Sequence, residues 1–207
     1  MTILLSDDRV RAVPVVESGE PLVRLPRDLS PAGALVRAGL VTRLVAADAL
    51  LPPGVRLRVV EGFRPLAQQQ AIIASYAAQV RAHHPDADAA ELVRLTSRFV
   101  APVAVAPHVA GAAVDLTLVD VCGQELDMGT PIDATPEDSA GRCYFTAGSI
   151  SLDARAHRDL LAEVLGSQGL VNYPTEWWHW SFGDRYWALL SGARHALYGP
   201  LSAAVAA

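Results

Sequence analysis

Glu176, Trp177, Trp178, His179 and Trp180 are consecutive but for nothing between them, so three of the chain's four tryptophans crowd one carboxylate and one imidazole. Aromatic neighbours shed water and lower the local dielectric, which raises the basicity of a carboxylate toward the range of a general base. Such a base needs an electrophile. His108 and Asp115, in HVAGAAVD, together with His179, supply three side chains of the kind that hold a catalytic zinc ion while leaving a fourth position open. Gly111 and the alanines beside it are small enough to let the chain curl between His108 and Asp115. Asp115 lies near the head of the alternating run VDLTLVD, residues 114–120, which puts Asp115, Thr117 and Val119 on one face and Val114, Leu116 and Leu118 on the other. The apolar face can pack while the acid looks into a cleft. Arg64, in EGFRP just after a second candidate strand, could face an oxyanion developing on a tetrahedral intermediate.

Each residue also has a simpler role. An isolated histidine is usually solvated or hydrogen-bonded, Asp115 could cap a turn, and Glu176 could be a surface acid. The tryptophans could be ordinary core, and Arg64 could form a salt bridge to Glu61 or to a surface acid; taken alone, such a pairing is the preferred reading. His83, His84, His157 and His195 have no such company and are read as structural. Glu176 precedes His179 by three, an odd spacing that sends two side chains to opposite faces of a strand. For both to face one site, the backbone must either bulge or turn.

The elements that must position these residues follow from periodicity and breakers. Residues 1–31 read as a short strand or extended arm with Pro21, Pro26 and Pro31. Leu35, Val36, Leu40, Val41, Leu44 and Val45 follow a helical face over 32–48, stopped by Pro52, Pro53 and Gly54. RLRVVEG, residues 56–62, reads as a strand, and a helix runs on from Leu66 behind Pro65. A further helix is expected over 87–97, irregular chain over 98–113, the strand 114–120, and a return of residues 124–128 through a turn at Gly123. Loop 129–141, a helix over 153–166, the aromatic segment and a last helix from the N-cap Asp184 to about His195 complete the chain. The strands are too few for a Rossmann unit, and no phosphate-binding glycine loop occurs. The expected class is α+β: a small central antiparallel sheet flanked by helices, with residues 1–207 as a single domain and 1–31 packed on it as an arm.

Composition narrows the function. With 207 residues, 51% hydrophobic and 19% charged, the chain can bury a core without staples. Net charge is -5, all 17 basic residues are arginine, and no basic run exists, which argues against nucleic-acid binding. Cys122 and Cys143 form no Cys-x-x-Cys pair; they could bridge, but are read as unpaired small core residues. MTILLSDDRVRAV is neither a signal peptide nor a membrane span, so a cytoplasmic enzyme with no membrane partner is expected. No assembly state follows from the sequence.

EGFRP, HVAGAAVDLTL, LDMGTPID and EWWHW followed by FGDRYWA resemble, in order from about Leu35 to Leu190, the bacterial zinc D-alanyl-D-alanine dipeptidases and the wider group of D-Ala-D-Ala peptidases. The resemblance implies one zinc ion on His108, Asp115 and His179, with Glu176 as catalytic base and proton shuttle. It further implies Arg64 as stabiliser of the transition state and Asp133 as an acid that binds the free amino end of a small dipeptide substrate. The implied reaction is hydrolysis of D-Ala-D-Ala to D-alanine in cell-wall precursor metabolism or recycling. The rival readings are a D,D-carboxypeptidase or other peptidase acting on a peptidoglycan-derived peptide, amide hydrolysis outside wall metabolism, and a binding module with structural zinc. Retention of Glu176 and Arg64 argues against the last. The chain departs from the family pattern at Ala106, where a substrate-contacting serine is usual, so strictness for D-Ala-D-Ala is the property most exposed to change.

Overall fold

The structure, a computed structural model, describes residues 2–201; Met1 and residues 202–207 of the expected 1–207 unit lie outside them. Its elements in chain order are α1 (Asp8–Ala12), β1 (Leu22–Arg24), β2 (Leu35–Arg37), α2 (Ala38–Asp48), β3 (Arg56–Glu61), α3 (Leu66–His83), α4 (Ala89–Thr96), β4 (Ala113–Val119), α5 (Leu152–Ser167), β5 (Val171–Asn172), β6 (His179–Ser181) and α6 (Arg185–Ser191). Two short 3-10 turns, Val103–Val105 and His108–Ala110, precede β4. β3, β4, β6 and β5 form, in that order, a four-stranded antiparallel sheet, and β1 pairs with β2 in a separate antiparallel ribbon. This is the α+β class expected.

β4 is buried along its whole length because both of its faces are covered. Val114, Leu116 and Leu118 pack into the main core with Leu40 and Leu44 of α2, Leu161 and Leu165 of α5, and the tryptophans 177, 178 and 180. The opposite face carries Asp115 and Thr117, as the alternation of the strand requires. α3 and α4 pack on each other through Tyr76, Val80 and Leu95 in a separate cluster.

Five expectations are corrected in detail. The helix expected over 32–48 begins at Ala38, because Gly33, at φ 69, closes a left-handed turn and Leu35–Arg37 then pairs with Leu22–Arg24. The segment 1–31 contains the helix α1, N-capped by Asp7, as well as β1. The return after Gly123 makes only a single bridge, Val119 to Glu125. The last helix stops at Ser191, where Gly192 takes the left-handed conformation and closes the C-terminus. Asp184 caps its start as expected. Both cysteines are free; Cys143 is buried, but Cys122 is exposed and is no core residue.

The loop following Met128 is fastened to α3 and to the chain just past α4 by Glu137, which accepts from Tyr76 Oη at 2.7 Å and pairs with Arg98. Burial alone would raise the Glu137 pKa, but the Tyr76 hydroxyl and the Arg98 guanidinium outweigh it and hold the group below its ordinary value. A carboxylate whose folded pKa is depressed stabilises the fold above its unfolded pKa, and that contribution is lost as pH falls through the folded value. Glu137→Gln should therefore destabilise the protein by about 1–3 kcal/mol near neutral pH. In urea titrations the gap to the parent should narrow as pH drops below the unfolded carboxylate pKa of about 4.3. A gap that does not change with pH would contradict this account.

Candidate active site

The sheet register places the site. Asp115 sits opposite His179 on β6 and opposite Glu61 on β3, so three polar side chains form one row across three strands. The Glu61 pairing depends on a register shift between Val59 and Glu61, a bulge that brings Val60 and Glu61 together against Asp115. His108 arrives from the 3-10 turn before β4. Gly111 ends that turn at φ 66, and its N–H donates to the His108 carbonyl at 3.0 Å. The small residues thus allow the curl that the sequence suggested. The segments carrying His108 and Arg64 are cross-linked: the Arg64 N–H donates to the His108 carbonyl at 3.1 Å, and His108 Nδ1 lies 2.7 Å from the Gly62 carbonyl.

The Glu176–His179 spacing is resolved by a turn. The Glu176 N–H donates to the Tyr173 carbonyl at 2.9 Å, and the His179 N–H to the Glu176 carbonyl at 3.3 Å. Asn172 braces this turn with its side-chain amide, donating to the Glu176 carbonyl at 2.9 Å and to the His179 carbonyl at 3.0 Å. Both side chains therefore point inward, with Glu176 Oε2 3.7 Å from His179 Nδ1.

His108, Asp115 and His179 are buried and offer ligand atoms within 4.8 Å of one another. His108 Nε2 and His179 Nδ1 are 3.1 Å apart, and they lie 3.3 and 3.1 Å from Asp115 Oδ1. Because the Gly62 carbonyl requires a proton on His108 Nδ1, the Nε2 lone pair is left to face the other two ligand atoms. Two imidazole nitrogens and a carboxylate oxygen converging in this way make a donor set suited to a divalent cation.

Burial by itself would raise Asp115, yet His108 and His179 overcome it and hold the carboxylate ionised far below its usual range. Burial pushes Glu176 well above the ordinary carboxylate range, and the negative charge of Asp115 adds to that, against the pull of Arg64. Burial lowers His179, while for His108 the charge of Asp115 outweighs burial and raises it. Asp133 is likewise raised, by burial and then by Asp115.

These groups line a cavity of about 490 Å³ that includes Arg64, Ala106, Asp133, Glu176 and all three candidate ligands. The preferred sequence reading of Arg64 also holds: it forms a two-pronged ion pair with Glu61, at 2.8 and 2.5 Å, while its Nη2 lies 3.9 Å from Asp115 Oδ2. Asp133 enters the cavity from a loop position with φ 62. The structure thus brings together all six residues that the sequence singled out.

Three neighbours escaped notice in the sequence. Buried Gln69 accepts from Arg64 Nη1 at 2.9 Å and donates to the Ala101 carbonyl at 2.8 Å, fixing the guanidinium. It lies on the same helical face as Ile72, Ile73 and Tyr76, a signal masked by the run of three glutamines. Tyr173 lines the cavity and accepts from the Leu5 N–H at 3.1 Å, which draws Leu5 into the wall. Asn172, the brace of the turn, carries no signal in the sequence beyond its preference for turns.

A cavity in which three convergent metal-capable side chains adjoin a buried carboxylate is the constellation of metal-assisted hydrolysis. Residues 30–193 match the model of the D-ala-D-ala dipeptidase family, and the chain belongs to that family of peptidases. A D-alanyl-D-alanine dipeptidase from Synechocystis sp. is 29% identical over 89% of this chain and 90% of its own length. One of the same description from Escherichia coli is 38% identical over 35% of each. Among solved structures, a mutant of the vancomycin-resistance D,D-pentapeptidase VanY in complex with Zn(II) aligns with a TM-score of 0.48 at 18% identity, covering 89% of this chain and 90% of that one. VanYB in complex with D-alanine-D-alanine aligns with a TM-score of 0.47 at 19% identity over 84% of each.

Gly111 sets the path between two of the metal-capable residues. Its left-handed backbone disfavours a side chain, and a Cβ there would drive into Leu22. Gly111→Ala should lower stability by about 1–3 kcal/mol in urea unfolding and weaken divalent-metal binding, read by competition with a chromophoric chelator. Stability and metal affinity both equal to the parent would show that the turn does not constrain His108.

Proposed function

We propose that this protein is a zinc-dependent D-alanyl-D-alanine dipeptidase that hydrolyses the free dipeptide to two molecules of D-alanine. The observation carrying the reading is the convergence of His108, Asp115 and His179 within 4.8 Å, in one cavity with buried Glu176. Membership of the dipeptidase family and the Synechocystis relative of nearly equal span support the substrate. His108 Nε2, His179 Nδ1 and an Asp115 oxygen would hold the zinc ion. When bound, zinc supplies Lewis-acid polarisation of a carbonyl and lowers the pKa of water.

The chain's own residues do the rest. Glu176, made basic by burial, takes the proton of the attacking water and afterwards delivers it to the leaving amine. Arg64, fixed by Glu61 and Gln69, presents its charge to the oxyanion of the tetrahedral intermediate. Asp133 receives the ammonium of the substrate's free amino end. The chain acts as one peptidase unit, to which the segment 1–31 contributes Leu5 in the cavity wall. On this reading the enzyme works in the cytoplasm on wall precursors or recycled wall fragments. Among the described residues, no helix is long and apolar enough to cross a membrane.

Ala106 is buried and lines the cavity without a hydroxyl, so it offers the substrate no side-chain hydrogen bond at that point. Zinc-loaded protein should cleave D-Ala-D-Ala and leave N-acetyl-D-Ala-D-Ala and L-Ala-L-Ala intact. Glu176→Gln should reduce kcat by about 10²–10⁴-fold with one zinc still bound per chain. Arg64→Met should reduce kcat by about 10²–10³-fold, also with zinc retained. Near-parental turnover by the Glu176 variant would falsify the mechanism, and preference for the acetylated substrate would shift the reading to a D,D-carboxypeptidase.

A further inference from the structure

Arg158 on α5 is fully buried, yet among the described residues no carboxylate lies within ion-pair distance of it. Its guanidinium is spent on backbone carbonyls. Nε and Nη2 donate to the Met128 carbonyl at 2.8 and 2.6 Å, Nη2 also to the Arg142 carbonyl at 2.8 Å, and Nη1 to the Tyr144 carbonyl at 2.6 Å. Met128 precedes the loop 129–141, and Arg142 and Tyr144 follow it. One side chain therefore clasps both stems of the loop that carries Asp133.

Two further contacts tie this clasp to the catalytic turn. The guanidinium carbon lies 5.7 Å from the centre of the Trp177 ring, and Trp177 Nε1 donates to Thr130 Oγ1, inside the loop, at 2.8 Å. The Trp177 N–H donates to the Cys143 carbonyl at 3.0 Å. Loop stems, Trp177 and hence its neighbour Glu176 are held as one piece around Arg158. A buried charge without a counter-ion is expensive to keep in a fold, and here burial and then Arg155 pull its pKa down to about 10. No other feature of the site calls for an arginine at this place, whereas a rigid planar fork able to reach both stems at once does.

We infer that Arg158 is a positioning residue that sets the place of Asp133 relative to Glu176 and so governs recognition of the substrate's free amine. The clasp itself rests on the structure; the kinetic consequence rests on the dipeptidase reading above. A lysine has only three donors on one point and cannot span two stems, so Arg158→Lys keeps the charge and breaks the fork.

The test uses the full chain loaded with zinc and compares the parent with Arg158→Lys, Asp133→Asn and the double variant; Arg158→Gln replaces the lysine variant if that one does not fold. Amides of residues 129–141 should exchange with solvent about 10-fold faster in the Arg158 variant, while those of β4 and α6 keep their rates. KM for D-Ala-D-Ala should rise about 10-fold, with kcat within about 3-fold of the parent and one zinc per chain. In the Asp133→Asn background the Arg158 change should raise KM by less than about 2-fold, because both act through one contact. Unchanged loop exchange would overturn the clasp, and independent, multiplying effects of the two substitutions would overturn its action through Asp133. The exchange measurement reads the clasp whether or not D-Ala-D-Ala is the substrate. An inactive parent whose loop loosens in the variant would count against the dipeptidase reading and for the clasp.

Discussion

The site depends on one buried carboxylate in the middle of a sheet. Asp115 lies on a strand covered on both faces, where an ionised group without partners is strongly unfavourable. His179 from the cross-strand row, His108 from the turn before β4 and the Arg64 guanidinium 3.9 Å away answer that constraint. Placing two imidazoles against Asp115 keeps it ionised and leaves their nitrogens converging on one point. Placing Glu61 in the same row supplies the anion that holds Arg64. A single register, pinned by the apolar face of β4 against α2 and α5, thus positions four functional side chains.

The site also separates the roles of two carboxylates. Asp115, held by histidines, stays ionised; Glu176, beside the tryptophans and near a fixed negative charge, is driven toward its protonated form. Environments that push neighbouring acids apart divide ligand from proton carrier. A divalent cation on the three ligands would oppose the repulsion and draw Glu176 back down, toward a group able to take and release a proton near neutral pH. The outer residues then matter through geometry. Gln69 fixes Arg64, Asn172 fixes the turn of Glu176, and Arg158 fixes the loop of Asp133.

Much of this was legible in the sequence because it obeys short-range rules. Alternation in residues 114–120 gave the two faces of β4, and small residues around Gly111 announced the curl. The odd spacing of Glu176 and His179 demanded a turn or a bulge, and a turn is what forms. What escaped depends on partners distant in the chain. Leu35–Arg37 fits a helical face as well as a strand, and only pairing with Leu22–Arg24 decides for the strand. The bulge at Val60 leaves no mark in RLRVVEG, since its purpose, bringing Glu61 to Asp115, is set by the neighbouring strand. Arg158 reads as one more charge on an amphipathic helix; that it points inward is dictated by carbonyls some 14 to 30 residues away along the chain.

The account stands or falls on where the metal binds. Crystals of the protein equilibrated with stoichiometric zinc, measured on both sides of the zinc absorption edge, test this directly. The account predicts one anomalous peak, about 2.0–2.2 Å from His108 Nε2, His179 Nδ1 and an Asp115 oxygen, with Glu176 beside the open position and not among the ligands. A fully occupied zinc site elsewhere, or Glu176 as a ligand in place of one of the three, would contradict it.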